Sequence, residues 1–265
     1  MRLGQPRLTK SVVLAFGPQH PAAHGILKLT LQLEGEVIVR ADTQFGLLHR
    51  GSEKLMEART YLQALPYMDR MDYVANLLQE HAFTAAVEAV CAPQRAVTAG
   101  VRYVRILLDE LSRVLNHLLT VSAVCMDMGA MGPMFWAFEE REYIMELFER
   151  LSGARMHTAL YRPFAVDMSG ANAAWVADVA RLLTRSGRTL AGAFLGLLNN
   201  RAMRTRQVGV GSVTAVKTNA YGVSGVIARS AGVAVDARLA HTVGAYGAAY
   251  ATVGSRSFVG RRGDN

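Results

Sequence analysis

The chain has 265 residues, of which 51% are hydrophobic and 19% charged, and it carries a net charge of +8. This composition is too apolar for a disordered chain and can bury a substantial core in one large or two small domains. Its only cysteines, Cys91 and Cys125, form no CxxC pair. The sequence therefore offers no structural zinc site, no iron–sulfur ligation of its own and no disulfide framework.

The arginine excess runs from Arg40 to Arg262 and suits acidic neighbours or an anionic membrane face. No basic cluster interleaved with aromatics points to nucleic acid. The first residues lack the apolar core of a secretory signal. The most apolar stretch, Leu118 to Phe138, contains Asp127 and three glycines or prolines, which reads as a buried helix and turn in a soluble chain.

In chain order, Val12 to Phe16 is followed by Gly17-Pro18-Gln19-His20-Pro21-Ala22-Ala23-His24-Gly25 and then by an alternating run from Ile26 to Leu33. Period-two alternation predicts strands, and Pro21 stiffens the loop that holds His24. Gly35 supplies a tight turn, so residues 12 to 41 are expected to form a small antiparallel sheet. Ser52 is expected to cap a helix that Pro66 breaks, with Arg50 and Gly51 just before it. Asp69 is expected to cap the next helix, with Tyr73, Leu77, Glu80, His81 and Thr84 on one stripe.

From about residue 101 to 126, Val104, Leu107, Leu108, Leu111, Val114, Leu115 and Leu118 define a helical face, with Asp109, Glu110 and Arg113 on its other side. A further helix is expected from Met134 to Leu151 with Phe135, Phe138, Ile144, Met145 and Phe148 inward. A short helix is expected at Ala154 to His157. Residues 175 to 204 read as one helix or two, hinged near Ser186-Gly187. The fold class is α+β, mainly α: a small N-terminal antiparallel sheet followed by a bundle of long helices. The expected divisions are 1–45 (sheet and loop), 46–206 (bundle) and 207–265 (a glycine- and alanine-rich tail).

Several residues can carry chemistry. His24 can simply hydrogen-bond its loop, or, aimed into a pocket, give up a proton near neutral pH. A metal shared by His20 and His24 lacks a third ligand and helical spacing. Tyr73 can be a wall residue or a phenolic proton donor. Asp127, set in Val124-Cys125-Met126-Asp127-Met128, is expected to need a partner or a raised pKa, and a histidine would suit it. Arg50 and His157 read equally as capping or solvated residues.

The stretches Phe16 to Gly25, Gly46 to Lys54, Tyr61 to Tyr73, Leu115-Asn116-His117, Asp127 to Met131, Phe138 to Glu142 and Ser152 to His157 together resemble one family across roughly residues 12 to 229. It is the quinone-site subunit of respiratory complex I, called NADH dehydrogenase subunit seven in organelle genomes. The resemblance implies a fold like the nickel–iron hydrogenase large subunit with its metal-ligating cysteines lost. It implies His24 and Tyr73 as ligands and proton donors of the ubiquinone headgroup, and Asp127 as the carboxylate paired with that histidine. It also implies Arg50 and His157 beside a 4Fe–4S cluster that a neighbouring subunit carries.

The implied protein is a subunit of proton-translocating NADH:ubiquinone oxidoreductase. Its partners would be the cluster-bearing subunit, a peripheral-arm neighbour and the membrane subunit at the quinone channel. Its implied location is the mitochondrial inner membrane, matrix side, or the bacterial inner membrane, cytoplasmic side. A non-catalytic remnant and a hydrogenase-like module are the alternatives.

Two departures stand out. The family's Arg-Pro-Gly-Gly is Arg162-Pro163-Phe164-Ala165 here, so a different loop is expected. Family members also continue well past the Gly263-Asp264 pair, so the subunit is expected to be truncated or split, with a separate chain supplying the C-terminal part.

Overall fold

The computed structural model describes residues 11–20, 26–92, 94–240, 246–253, 257–260 and 262–263. The chain divides into two compact units, Met1–Arg59 and Thr60–Asn265.

The first unit holds a three-stranded antiparallel sheet in the order β1 (Ser11–Phe16), β2 (Lys28–Glu34) and β3 (Val37–Gln44). Glu34 pairs with Val37 around the turn at Gly35-Glu36. Gly35 sits at φ 65°, the left-handed value that a two-residue hairpin demands of its first turn residue. A bulge between Gln32 and Leu33 shifts the register of β2 against β3. The sheet expected over residues 12 to 41 is therefore present. Helix α1 (Ser52–Glu57) closes the unit. Its N-cap is Gly51 at φ 65°, not Ser52, because the glycine takes the left-handed turn that leads in from Arg50.

The second unit begins with α2 (Tyr61–Met68), a separate helix and not the continuation of the Ser52 helix that the sequence predicts. Thr60 starts it through a capping box: its Oγ1 accepts from the Gln63 N–H, and its own N–H donates to Gln63 Oε1. Pro66 lies inside α2 instead of ending it. The long helices are α3 (Asn76–Cys91), α4 (Ala99–Asp127), α5 (Gly132–Ser152) and α6 (Ala173–Leu198). Between α5 and α6 a strap carries the short strands β4 (Tyr161–Arg162) and β5 (Ala165–Val166).

The core forms where these helices face one another, and it contains Leu77, Leu108, Leu111, Leu115, Leu118, Ile144, Phe148 and Trp175. The apolar stripe read on α4 is the stripe that is buried. On α5, Ile144, Met145 and Phe148 point inward as expected, but Phe135 is 69% exposed and Phe138 36% exposed. They lie on the first turns of α5, where Pro133 and Ala137 are the residues turned inward.

No hinge occurs at Ser186-Gly187. Helix α6 is continuous there, since the buried Ser186 hydroxyl donates to the buried Glu140 carboxylate of α5. The break comes later, where the Asn200 side chain caps α7 (Arg201–Gln207). The remaining chain contains the short helices α8 (Ala215–Ala220), α9 (Gly225–Ser230), α10 (Ala237–Ala240) and α11 (Tyr246–Val253). It docks on α4 by polar contacts: the Tyr246 hydroxyl donates to Glu110 at 2.9 Å and Arg238 reaches the same carboxylate at 3.4 Å. Of the cysteines, Cys125 is buried as a core group and Cys91 is exposed. Among the described residues no helix is long and apolar enough to cross a membrane.

Candidate functional site

The residues expected to carry function fall in different parts of the chain. His24 lies outside the described residues. Arg50 is exposed in the first unit, directly before Gly51. Tyr73, Asp127 and His157 belong to the second unit. Tyr73 is half-buried and sits in the turn between α2 and α3, not on the α3 stripe, because α3 begins only at Asn76. Asp69 correspondingly ends α2 as its C-cap instead of starting α3. Asp127 is the last residue of α4 and is exposed, so the burial expected from its apolar surroundings in sequence does not occur. His157 is half-buried on an irregular strap and not on the short helix that the sequence predicts. Gly153 at φ 78° ends α5, and backbone N–H groups further along the strap are taken by side chains from elsewhere.

Those side chains form the chemical centre of this unit. Asp69 and Glu80 are both fully buried. Asp69 Oδ2 accepts the Ala159 N–H at 3.2 Å. Glu80 Oε2 accepts the Tyr161 N–H at 2.9 Å, and Oε1 accepts the Thr158 hydroxyl at 3.3 Å. The turn bearing Tyr73 and the strap bearing His157 are thereby fastened to one pair of carboxyl groups. Ala159 adopts φ 45° to fit, a left-handed conformation that costs a non-glycine residue about 1–3 kcal/mol. The Nδ1 atom of His157 is buried and meets no hydrogen-bond partner among the described residues.

A second polar layer lies beside the first. His81 Nδ1 and Asp109 Oδ2 are 2.6 Å apart, and the Tyr161 hydroxyl donates to Asp109 Oδ1 at 2.6 Å. The His81 and Tyr161 rings stack with centroids 5.5 Å apart. Burial, reinforced by the Asp109 charge, raises the Tyr161 phenol well above its ordinary value, so it acts here as a donor. The sequence pattern puts Asp109 on the outer side of α4. It is instead 1% exposed, because its partners come from α3 and from the strap. His81 and Asp109 form one wall of a pocket of about 230 Å³ that Leu78, Arg113, Arg238 and Tyr246 also line.

A third layer is ionic. The Arg105 guanidinium, 2% exposed, grips Glu88 through two bonds of 2.6 and 3.1 Å. Glu88 Oε1 also accepts the Phe164 N–H at 2.6 Å, and Arg105 donates to the Arg162 carbonyl at 3.1 Å. Burial works against ionisation of Glu88. Arg105 and the Phe164 N–H outweigh it and hold the carboxyl below its usual range. Phe164 stands at φ 62°, in the turn between β4 and β5, with Arg95 4.6 Å above its ring. The Arg-Pro-Phe-Ala loop thus takes the left-handed turn position that a glycine would fill most easily, held in place by Glu88 and Arg95.

Sequence patterns assign no chemical role to Asp69, Glu80 or Asp109. The available signal was a carboxylate, Glu80, on a stripe otherwise bound for the core.

Comparison with known proteins identifies the lineage. A family model described as respiratory-chain NADH dehydrogenase, 49 Kd subunit, matches residues 127–265. The NADH-ubiquinone oxidoreductase 49 kDa subunit of Paramecium tetraurelia is 44% identical over 256 residues, covering 97% of this chain and 63% of the relative. An NADH dehydrogenase [ubiquinone] iron-sulfur protein 2 from Nephroselmis olivacea is 48% identical over 86% of this chain and 57% of its own length. An NADH-quinone oxidoreductase subunit of the bacterium Wolbachia pipientis (strain wPip) is 46% identical over 86% of this chain and 58% of its own length. The chain thus spans about three-fifths of the length of these relatives. By the family model and by these likenesses, the chain belongs to the 49 kDa subunit family of respiratory-chain NADH dehydrogenase.

Proposed function

We propose that this chain forms part of the quinone-reducing site of the proton-translocating NADH:ubiquinone oxidoreductase, at the mitochondrial inner membrane on its matrix side. In this reading its fold is that of the nickel–iron hydrogenase large subunit, and its partners are the other complex I subunits. Its two cysteines fall short of the thiolate set of a 4Fe–4S cluster, and among the described residues no three His, Cys, Asp or Glu side chains converge on a metal position. The cluster in this reading belongs to a neighbouring subunit, and it supplies the electrons.

A quinone that takes up two electrons becomes a base at both oxygens and leaves as a quinol after accepting two protons. Tyr73 gives one proton and His24 the other, by general acid chemistry. In this reading the role of Asp127 is to compensate the charge of the His24 imidazole. Arg50 and His157 stand beside the neighbour's cluster.

The observation that carries this reading is the Asp69–Ala159 hydrogen bond. It fastens the turn that bears Tyr73 to the strap that bears His157, so the proton donor on one side and the cluster-side histidine on the other share a rigid frame. The test is quinone reductase turnover of the intact complex with a short-chain quinone. Tyr73→Phe is expected to lower kcat by about 10²-fold or more, in the range of a lost general acid. Unchanged turnover would remove Tyr73 from the mechanism.

A further inference from the structure

Asp69 and Glu80 are each 0% exposed, and the donors that their oxygens accept from outside the pair are neutral. The Thr158 hydroxyl and the Tyr161 N–H serve the two oxygens of Glu80, and the Ala159 N–H serves Oδ2 of Asp69. Oδ1 of Asp69 is buried and meets no N–H or hydroxyl donor among the described residues.

The charged groups nearby do not complete the site. Arg70, on the exposed side of the turn, donates to the Pro66 carbonyl at 2.8 Å and acts on Asp69 only at longer range, as does His157 from the strap. Arg105 of α4 is paired with Glu88, and Asp109 of the same helix with His81 and Tyr161. Two ionised carboxylates here would be like charges in a desolvated space. A single proton held by the pair removes one of the two charges.

We propose that Asp69 and Glu80 share one proton and form a proton-holding site in the second unit, loaded at neutral pH. The titration behaviour agrees. Burial first, and then Asp69, push Glu80 up to about 9, while burial also raises Asp69 against the hydrogen bond from Glu80. These are properties of the pair and not of either residue alone.

The consequence is local and electrostatic. Releasing the shared proton adds a negative charge directly beneath both the Tyr73 turn and the His157 strap. The pair is therefore a positioning and charge-setting element for those segments, whether or not the chain works on a quinone.

The test is infrared spectroscopy of the full chain labelled with ¹³C at glutamate and aspartate carboxyls, recorded for the wild type, Glu80→Gln and Asp69→Asn. The wild type is expected to show the C=O stretch of a buried protonated carboxylic acid at neutral pH and to lose it as the pH passes about 9. Both amide variants are expected to lack the band at neutral pH. Each keeps one carboxylate, and its new amide N–H₂ provides the donor. A wild type without the band at neutral pH, or a band that survives in both variants, overturns the proposal. If a variant loses the native near-ultraviolet circular dichroism, the wild-type titration decides alone.

Discussion

Ala159 donates its backbone N–H to Oδ2 of Asp69 at 3.2 Å, across 90 positions of sequence. This bond joins the end of α2 to the strap that follows α5, at a carboxyl group with no solvent exposure. Removing the carboxylate leaves a buried N–H without an acceptor, at a cost of about 1–3 kcal/mol. Asp69→Ala is therefore expected to destabilise the full chain by that amount. It should raise amide hydrogen exchange in residues 69–75 and 157–161 together, and exchange that rises in one segment alone would contradict the coupling.

The Arg105–Glu88 pair is nearly solvent-free, with side chains 2% and 9% exposed. Glu88→Ala strands a buried guanidinium and is expected to cost about 3–5 kcal/mol in thermal or denaturant unfolding. Arg105→Met added to Glu88→Ala is expected to recover much of that loss, because no uncompensated charge remains. A double variant as unstable as the single would show that the bonds to the Arg162 and Ala165 carbonyls, and not the charge, dominate.

Glu80 gives the chain a pH dependence of definite sign. Its folded-state value is raised from 4.5 to about 9, so the native state holds a proton that the unfolded chain releases near 4.5. The corresponding stability is complete below about 4.5 and is lost as the pH rises towards about 9. Glu80→Gln removes this dependence. The Tm advantage of Glu80→Gln over the wild type is expected to widen steadily from acidic to mildly alkaline pH, and a constant gap would contradict the assignment.

Phe164 occupies a left-handed turn position at φ 62°. Phe164→Gly relieves about 1 kcal/mol of backbone strain but forfeits the Arg95 contact, about 0.5–1 kcal/mol, and loosens the unfolded chain. The expected net change in unfolding free energy, read from denaturant titration, is within about 1 kcal/mol. Phe164→Val, which puts a β-branched side chain at positive φ, is expected to be the less stable variant by about 1–2 kcal/mol.

What the sequence revealed and what it concealed have one physical basis. Local patterns are readable: the apolar run of β1, the alternation of β2, the Gly35 turn, and the α4 stripe ending in Leu118. The misassignments were tertiary. Asp109 looks outward by helical periodicity, yet it is buried because His81 and Tyr161 arrive from 28 and 52 residues away to satisfy it. Ser186-Gly187 looks like a hinge until Glu140 of α5 holds the serine in place. Residues 154–157 look helical, but Asp69 and Glu80 capture N–H groups of the strap just beyond them and hold it in an irregular path. No motif announces that the Tyr73 turn and the His157 strap share a frame: Asp69 lies inside the Tyr61–Tyr73 stretch without a role read for it, and Glu80 lies in none of the stretches.

If Tyr73 and His24 protonate the quinone, NADH-driven quinone reduction by the intact complex carrying both His24→Gln and Tyr73→Phe reports it directly, with the cluster that the proposal assigns to a neighbouring subunit followed by electron paramagnetic resonance. NADH is expected still to reduce the cluster while quinol formation falls by about 10²-fold or more, because proton donors are lost and electron supply is kept. Quinol formation at the wild-type rate in that variant would contradict the proposal.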